Sequence, residues 1–226
     1  MTSPTSLLFI ALSLVLFACG STEQQSSSGT EPVGEKTDEP SKHLIDDVKA
    51  EGENGFLHAV IEIPAGSVEK WEVNKTSGQL EHEIKDGKPR IVNYLGYPGN
   101  YGFIPQTLLS KESGGDGDPL DVLLIGYQCK QGEVVPCKVI GILRLLDNGE
   151  QDDKLIAVQP GGPFSEFSDV DSLQMHFPKV LTSVEDWFTN YKGSGQMESK
   201  GYGDAHEAMQ IVSTARSSYK ALHPKQ

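Results

Sequence analysis

Short apolar segments interrupted by Gly, Pro, Asn and Asp recur along the chain after residue 55. They are Phe56 to Ile63, Trp71 to Val73, Asp121 to Ile125, Val134 to Leu146 and Leu155 to Val158. Runs of this kind, rich in Val, Ile and Leu and bounded by turn formers, predict β-strands. Only the last third changes period. Ser183-Val184-Glu185-Asp186 has the form of a capping box opening a helix through Tyr191, and Asp204 is placed to cap a helix running to about Leu222. The pattern predicts a mainly β fold: a barrel with peripheral helices, mostly in the C-terminal third.

The N-terminal residues follow another logic. The apolar run from Leu7 to Ala18 is too short to span a bilayer but has the length of a signal-peptide core, and it ends at Leu16-Phe17-Ala18-Cys19. Cleavage before Cys19 would leave its thiol to carry a lipid, as in a bacterial lipoprotein. Residues 1–6 lack the Lys or Arg that usually opens an export signal, and Phe17 is bulky for a cleavage site, so plain secretion and a buried helix stay open. From Gly20 to about His43 the chain is Ser, Thr, Gln, Glu, Pro and Gly with almost nothing apolar, too little to offset its ordering entropy. The expected organisation is a signal peptide over 1–18, a lipidated Cys19 with a polar tether over 19–43, and one folded domain over 44–226. The expected location is an exported, membrane-anchored form in a bacterial envelope.

A formal net charge of -13 argues against nucleic-acid phosphates as partners. Cys129 and Cys137 could pair across the turn at Gln131-Gly132-Glu133 in an oxidising compartment, or remain buried free thiols. Without a nearby His cluster they do not suggest zinc.

Period-two spacing puts Lys70 with Glu72, Asp152 with Lys154, and Asp116 with Asp118 on shared faces of extended chain. For a lone pair such as Lys70 and Glu72, a solvated outer strand face is the simpler reading. The run Asp116-Gly117-Asp118-Pro119-Leu120-Asp121 is different. Its carboxylates repel one another unless a cation lies between them, and hard oxygen donors suit Mg²⁺, Mn²⁺ or Ca²⁺. The spacing does not fit an EF-hand, and read alone the run is also compatible with a generic acidic turn.

Here the sequence resembles the family I soluble inorganic pyrophosphatases, whose signature Asp-x-Asp-Pro-hydrophobic-Asp is met by residues 116–121. Further matches are Ile61-Glu62-Ile63-Pro64, Lys70-Trp71-Glu72, Lys88-Pro89-Arg90, Tyr97-Pro98-Gly99-Asn100-Tyr101-Gly102, the stretch from Leu146-Asp147 to Lys154, and Tyr191-Lys192. The resemblance implies an OB-like five-stranded barrel and hydrolysis of pyrophosphate with several Mg²⁺ ions, Mn²⁺ or other divalent ions substituting. It implies that Asp116, Asp121, Asp147 and Asp152 bind metal, with Glu62 and Glu72 completing an acidic rim, and that Asp118 orients and deprotonates the attacking water. Lys70, Arg90, Tyr101, Lys154, Tyr191 and Lys192, with Tyr97 close by, would hold the two phosphoryl groups. Arg offers a planar fork, Lys a compact charge and Tyr a neutral donor for that task.

The chemistry agrees, since such hydrolysis needs charge neutralised on both halves and an aligned, deprotonated water. One departure is Asn148, where the family commonly has Glu; it predicts weaker binding of an accessory ion. Other readings are a non-catalytic phosphate- or metal-binding barrel, and an exported phosphatase acting on nucleoside triphosphates or polyphosphate. The expected partners are pyrophosphate and, through Cys19, a membrane; a homo-oligomer is left open.

Overall fold

The computed structural model describes residues 41–111 and 115–224. The signal segment, Cys19 and most of the expected tether lie outside the described residues. At the end of that tether His43 is already held, its backbone N–H donating to Asp47 Oδ2 at 2.8 Å.

The strands are β1 (Leu57–Ile63), β2 (Trp71–Val73), β3 (Leu80–His82), β4 (Ile84–Lys85), β5 (Lys88–Pro89), β6 (Asn100–Ile104), β7 (Leu120–Ile125), β8 (Val134–Asp147), β9 (Glu150–Gln151), β10 (Lys154–Val158) and β11 (Met197–Gly203). The helices are α1 (Val170–His176), α2 (Pro178–Asn190) and α3 (Ala205–Leu222). Hydrogen bonding runs β1-β6-β7-β10-β8, and β8 pairs back to β1, so these strands close the expected five-stranded barrel. All its pairings are antiparallel except β7 with β10. Closure leaves these strands no edge, and the long β8 makes it feasible by serving β1 at its start, β10 in its middle and β11 at its end.

The apolar runs are continuous rather than alternating because the strands are covered on both faces. Leu123 and Ile125 join the core formed with Leu181, Val184, Trp187 and Phe188 of α2. Their neighbours Val122 and Leu124 join the core under Ala208, Val212 and Ala215 of α3. A third cluster seats Ile45 and Val48 against Val60, Phe103 and Tyr219. The thiols of Cys129 and Cys137 are both free and buried, and burial pushes Cys137 up to about 12.

Two expectations are corrected. α2 begins at Pro178, where a proline lacks only an N–H that has no helical partner anyway, so Ser183 and Glu185 are interior residues and not a cap. Asp116 and Asp118 are not neighbours on a strand: β7 starts at Leu120, and the Asp118 N–H donates to Asp116 Oδ1 at 2.8 Å in a turn. Gly117 has a φ of 85°, which side chains with a Cβ resist. The helix capped by Asp204 is as expected; its Oδ1 accepts from Glu207 N–H at 2.8 Å.

Strand β6 was hidden in the sequence by Pro98, Gly99, Asn100 and Gly102. Asn100 is wholly buried and links loops: its Oδ1 accepts from the N–H groups of Ala65 (3.1 Å) and Cys129 (2.8 Å), and its Nδ2 donates to Tyr127 O (2.9 Å). Gly102 lies between β1 and β7, and a Cβ there would sit 1.8 Å from Val60 O. Backbone cannot move aside cheaply inside a closed barrel. Gly102→Ala is therefore expected to cost about 3 kcal/mol, at the top of the range for overpacking, measured by thermal or urea unfolding.

Candidate active site

Every candidate residue from the folded domain lines one cavity of ≈ 320 Å³. β1 supplies Glu62, and the start of the β2–β3 hairpin supplies Lys70 and Glu72. Arg90 follows β5, Tyr97 precedes β6 and Tyr101 lies on it. The turn before β7 carries Asp116 and Asp118, and β7 itself Asp121. Asp147 ends β8, Asp152 and Lys154 flank the start of β10, and Tyr191 and Lys192 follow α2.

Lys154 is 3% exposed, with Nζ 2.6 Å from both Asp121 Oδ2 and Asp152 Oδ1. Burial opposes its charge, but these two carboxylates prevail and raise its pKa above the ordinary lysine value. Parallel register explains the meeting: Leu155 pairs with Val122, so the preceding residues Lys154 and Asp121 fall side by side. Lys192 pairs with Asp147, and Lys75 with Asp118. Sequence reasoning missed Lys75, which reads as an ordinary solvated lysine in the turn between β2 and β3; only the hairpin turns it into the cavity.

Glu62 belongs to the floor rather than the rim. It is 5% exposed, accepts from Val73 N–H at 2.7 Å, and desolvation pushes it up to about 8 despite Lys70 nearby. Glu72 is exposed and does form rim. Arg90 spends one nitrogen, Nη1, on both oxygens of Glu83 (2.7 and 2.8 Å), which leaves its other donors outside that pair.

The aromatic wall is set by Trp187, which sequence reasoning did not place at the site. Its Nε1–H donates to Leu95 O at 2.9 Å, Tyr191 stacks on it at 4.6 Å and 10°, and Tyr97 packs against it at 4.5 Å. The i to i+4 spacing of Trp187 and Tyr191 was the available signal. Burial raises the hydroxyls of Tyr97 and Tyr101 above ordinary tyrosine, so both remain neutral donors near pH 7.

Asn148 has a backbone reason. It and Gly149, at φ 49° and 90°, form the two-residue turn between β8 and β9, where Asn-Gly is strongly preferred over Glu. Its Nδ2 donates to Asp147 Oδ1 at 2.9 Å.

The donor set suits hard divalent cations: carboxylates outnumber basic groups, and Asp121 and Asp152 both press against one ammonium, so a single small cation could touch both. Among the described residues no three acidic, His or Cys side chains are already gathered as around a bound ion. Lysines pair with the carboxylates instead: Lys154 with Asp121 and Asp152, Lys75 with Asp118 and Lys192 with Asp147.

The raised pKa of Glu62 has a sign. Folding favours its protonated form, so its contribution to stability is full below about 4.5 and is lost as pH rises towards about 8. Metal-free protein is expected to lose thermal stability across that window, and Glu62→Gln to flatten the loss. An unchanged slope in Glu62→Gln would show that the effect comes from other groups.

Residues 59–220 match the family model described as inorganic pyrophosphatase. An inorganic pyrophosphatase of Homo sapiens is 33% identical over 200 residues, covering 79% of this chain and 69% of that protein. Soluble inorganic pyrophosphatase 2 of Chlamydomonas reinhardtii is 37% identical over 174 residues, covering 73% and 81%. A crystal structure of a type I inorganic pyrophosphatase from Toxoplasma gondii superposes with a TM-score of 0.73 at 28% identity, covering 79% of this chain and 88% of that one. With its closed barrel and convergent acidic and basic residues, this chain belongs to the inorganic pyrophosphatase family.

Proposed function

We propose that this cavity carries out Mg²⁺-dependent hydrolysis of pyrophosphate by direct attack of water, in an exported protein anchored by lipid on Cys19. The protein is an inorganic diphosphatase: pyrophosphate and water give two phosphates, in a reaction dependent on divalent metal. The observation that carries the reading is the meeting, in one cavity, of carboxylates and phosphate-binding groups drawn from segments as far apart as Glu62 and Lys192.

Asp116, Asp121, Asp147 and Asp152 are the residues suited to hold the ions, with Glu62 and Glu72 around them. When bound, divalent ions neutralise phosphoryl oxygens and acidify the attacking water. Asp118 lines the cavity from the turn that contains Gly117 and would take the proton from that water. The guanidinium of Arg90 and the ammonium of Lys192 would receive the leaving phosphate, and Lys70 and Lys154 would balance charge on the other half. Tyr97, Tyr101 and Tyr191 add donors that do not compete for metal. The bond breaks without a covalent intermediate, because positioning and charge neutralisation suffice for phosphoryl transfer.

Anchorage is supported by the apolar run ending at Cys19 and the polar stretch after it. A tether of that composition would let the domain stand off a membrane surface.

Phosphate release from pyrophosphate is expected with Mg²⁺ and to stop on chelation. Asp118→Ala is expected to lower kcat by about 10²- to 10⁴-fold, the usual contribution of a positioned base. No release from pyrophosphate by the wild type would refute the activity. Palmitate labelling should mark the wild type and spare Cys19→Ser; equal labelling of both would remove the anchor.

A further inference from the structure

Behind the active cavity, on the other face of the same strands, lies a separate cavity of ≈ 360 Å³. The backbone alternates between the two. From Gln151 to Leu155, the side chains of Asp152 and Lys154 line the active cavity while Gln151, Asp153 and Leu155 line the rear one, and at the start of β7 Asp121 belongs to the front and Leu120 to the back. The far wall is α3, which contributes Glu207, Ile211, Thr214 and Ala215 at helical spacing. Leu109, also in the rear lining, holds the turn of Asp116 and Asp118: its carbonyl accepts from Gly117 N–H at 2.8 Å and its own N–H donates to Asp118 O at 2.8 Å. We propose that this rear cavity binds a small molecule with an apolar body and one cationic amine, and that its occupancy weakens metal binding in the active cavity. The binding stands apart from the pyrophosphatase reading; the coupling rests on the metal-binding residues assigned in it.

The lining fits such a molecule at both ends. Leu120, Leu155 and Ala215 are buried, whereas Leu109 and Ile211 pack against that core only partly buried, so an apolar body laid on them removes aliphatic surface from water. The charge is one-sided. Asp153 and Glu207 are the only charged groups among the described residues of the lining. Glu207 is paired with Arg144, and the same guanidinium also acts on Asp153, so one positive charge stands against two negative ones. Asp153 accepts from the uncharged donors Leu145 N–H at 2.9 Å and Gln151 Nε2 at 2.6 Å, which fix its orientation and leave lone pairs for a further donor. On a chain of net charge -13 an ammonium is attracted to this position and an anion repelled.

Coupling follows from the shared backbone. Asp116, Asp121 and Asp152 belong to three segments that also touch or line the rear cavity, through Leu109, Leu120 and the 151–155 stretch respectively. A body bearing on these segments displaces the carboxylates relative to one another, and Mg²⁺ tolerates little displacement because it demands near-ideal octahedral geometry. The effect is reciprocal: bound Mg²⁺ must weaken the amine by the same factor.

Hexylamine, hexanol and hexanoate share one apolar body and differ in the charge of the head group, and their binding to the whole chain near pH 7, without pyrophosphate, is measured by calorimetry. Hexylamine is expected to bind, hexanol to bind about tenfold more weakly, the size of one charge-assisted hydrogen bond, and hexanoate not to bind. Asp153→Asn keeps an oxygen acceptor for Leu145 N–H and should bring hexylamine down to the affinity of hexanol. Ile211→Phe and Thr214→Phe put bulk into the cavity and should abolish hexylamine binding while pyrophosphate hydrolysis continues; Thr214 is exposed, so its variant keeps the core intact. Mg²⁺ affinity should fall about fivefold in saturating hexylamine, and hexylamine affinity by the same factor in saturating Mg²⁺. Equal binding of the three probes, or undiminished hexylamine binding in Thr214→Phe, would overturn the site. Unchanged Mg²⁺ affinity would overturn the coupling alone, whereas absence of pyrophosphate hydrolysis with and without the amine would refute the pyrophosphatase reading and leave the binding result standing.

Discussion

A lysine almost wholly removed from water can stay charged only if opposite charges are fixed beside it, and much of this molecule turns on that requirement at Lys154. Asp121 and Asp152 meet it at 2.6 Å each. Asp121 lies on β7 and Lys154 on β10, the one parallel pair in the barrel, so strand register and site geometry are the same constraint. A one-residue slip of β10 would turn Lys154 away from Asp121 and into the apolar core on the other face of the strand.

The same region carries more negative charge than its own lysines balance. Glu62 expresses the excess most clearly: buried on β1 with its carboxylate against the Val73 N–H, it is driven towards protonation by desolvation and by its acidic neighbours Asp121 and Glu72. Each carboxylate suited to metal except Asp116 leans on a lysine, and Asp116 is itself raised, by burial first. Such a site is poised for divalent cations, because a compact dipositive ion relieves repulsion that single ammonium groups relieve only in part. Beside these charges Trp187 holds the rings of Tyr97 and Tyr191 in place.

β1, β7, β8 and β10 were close to readable because runs such as Leu123 to Ile125 are apolar on both faces, and α3 because Asp204 caps it. β6 was not, because its glycine and asparagine look like a turn until strands on both sides require a small backbone at Gly102 and a buried amide at Asn100. The start of α2 was misread because a Ser-Glu spacing resembled a cap while Pro178 was the real first turn. Among site residues, those in short motifs were identifiable by resemblance. Lys75 and Trp187 were not, since a lysine in a turn and a tryptophan on a helix have bland roles in most proteins.

By itself the sequence determined the residue types available for the chemistry, the mainly β character, the polar N-terminal stretch and the local turns, because these follow from composition and from interactions within a few residues. The pairing of Asn148 with Gly149 belongs to that class. Only the tertiary structure decided that Glu62 is buried at the cavity and that Lys154 bridges two aspartates. Each of those facts depends on which strands are neighbours and how deeply they are covered. Burial and register are properties of the closed barrel, and no local stretch of the chain carries them.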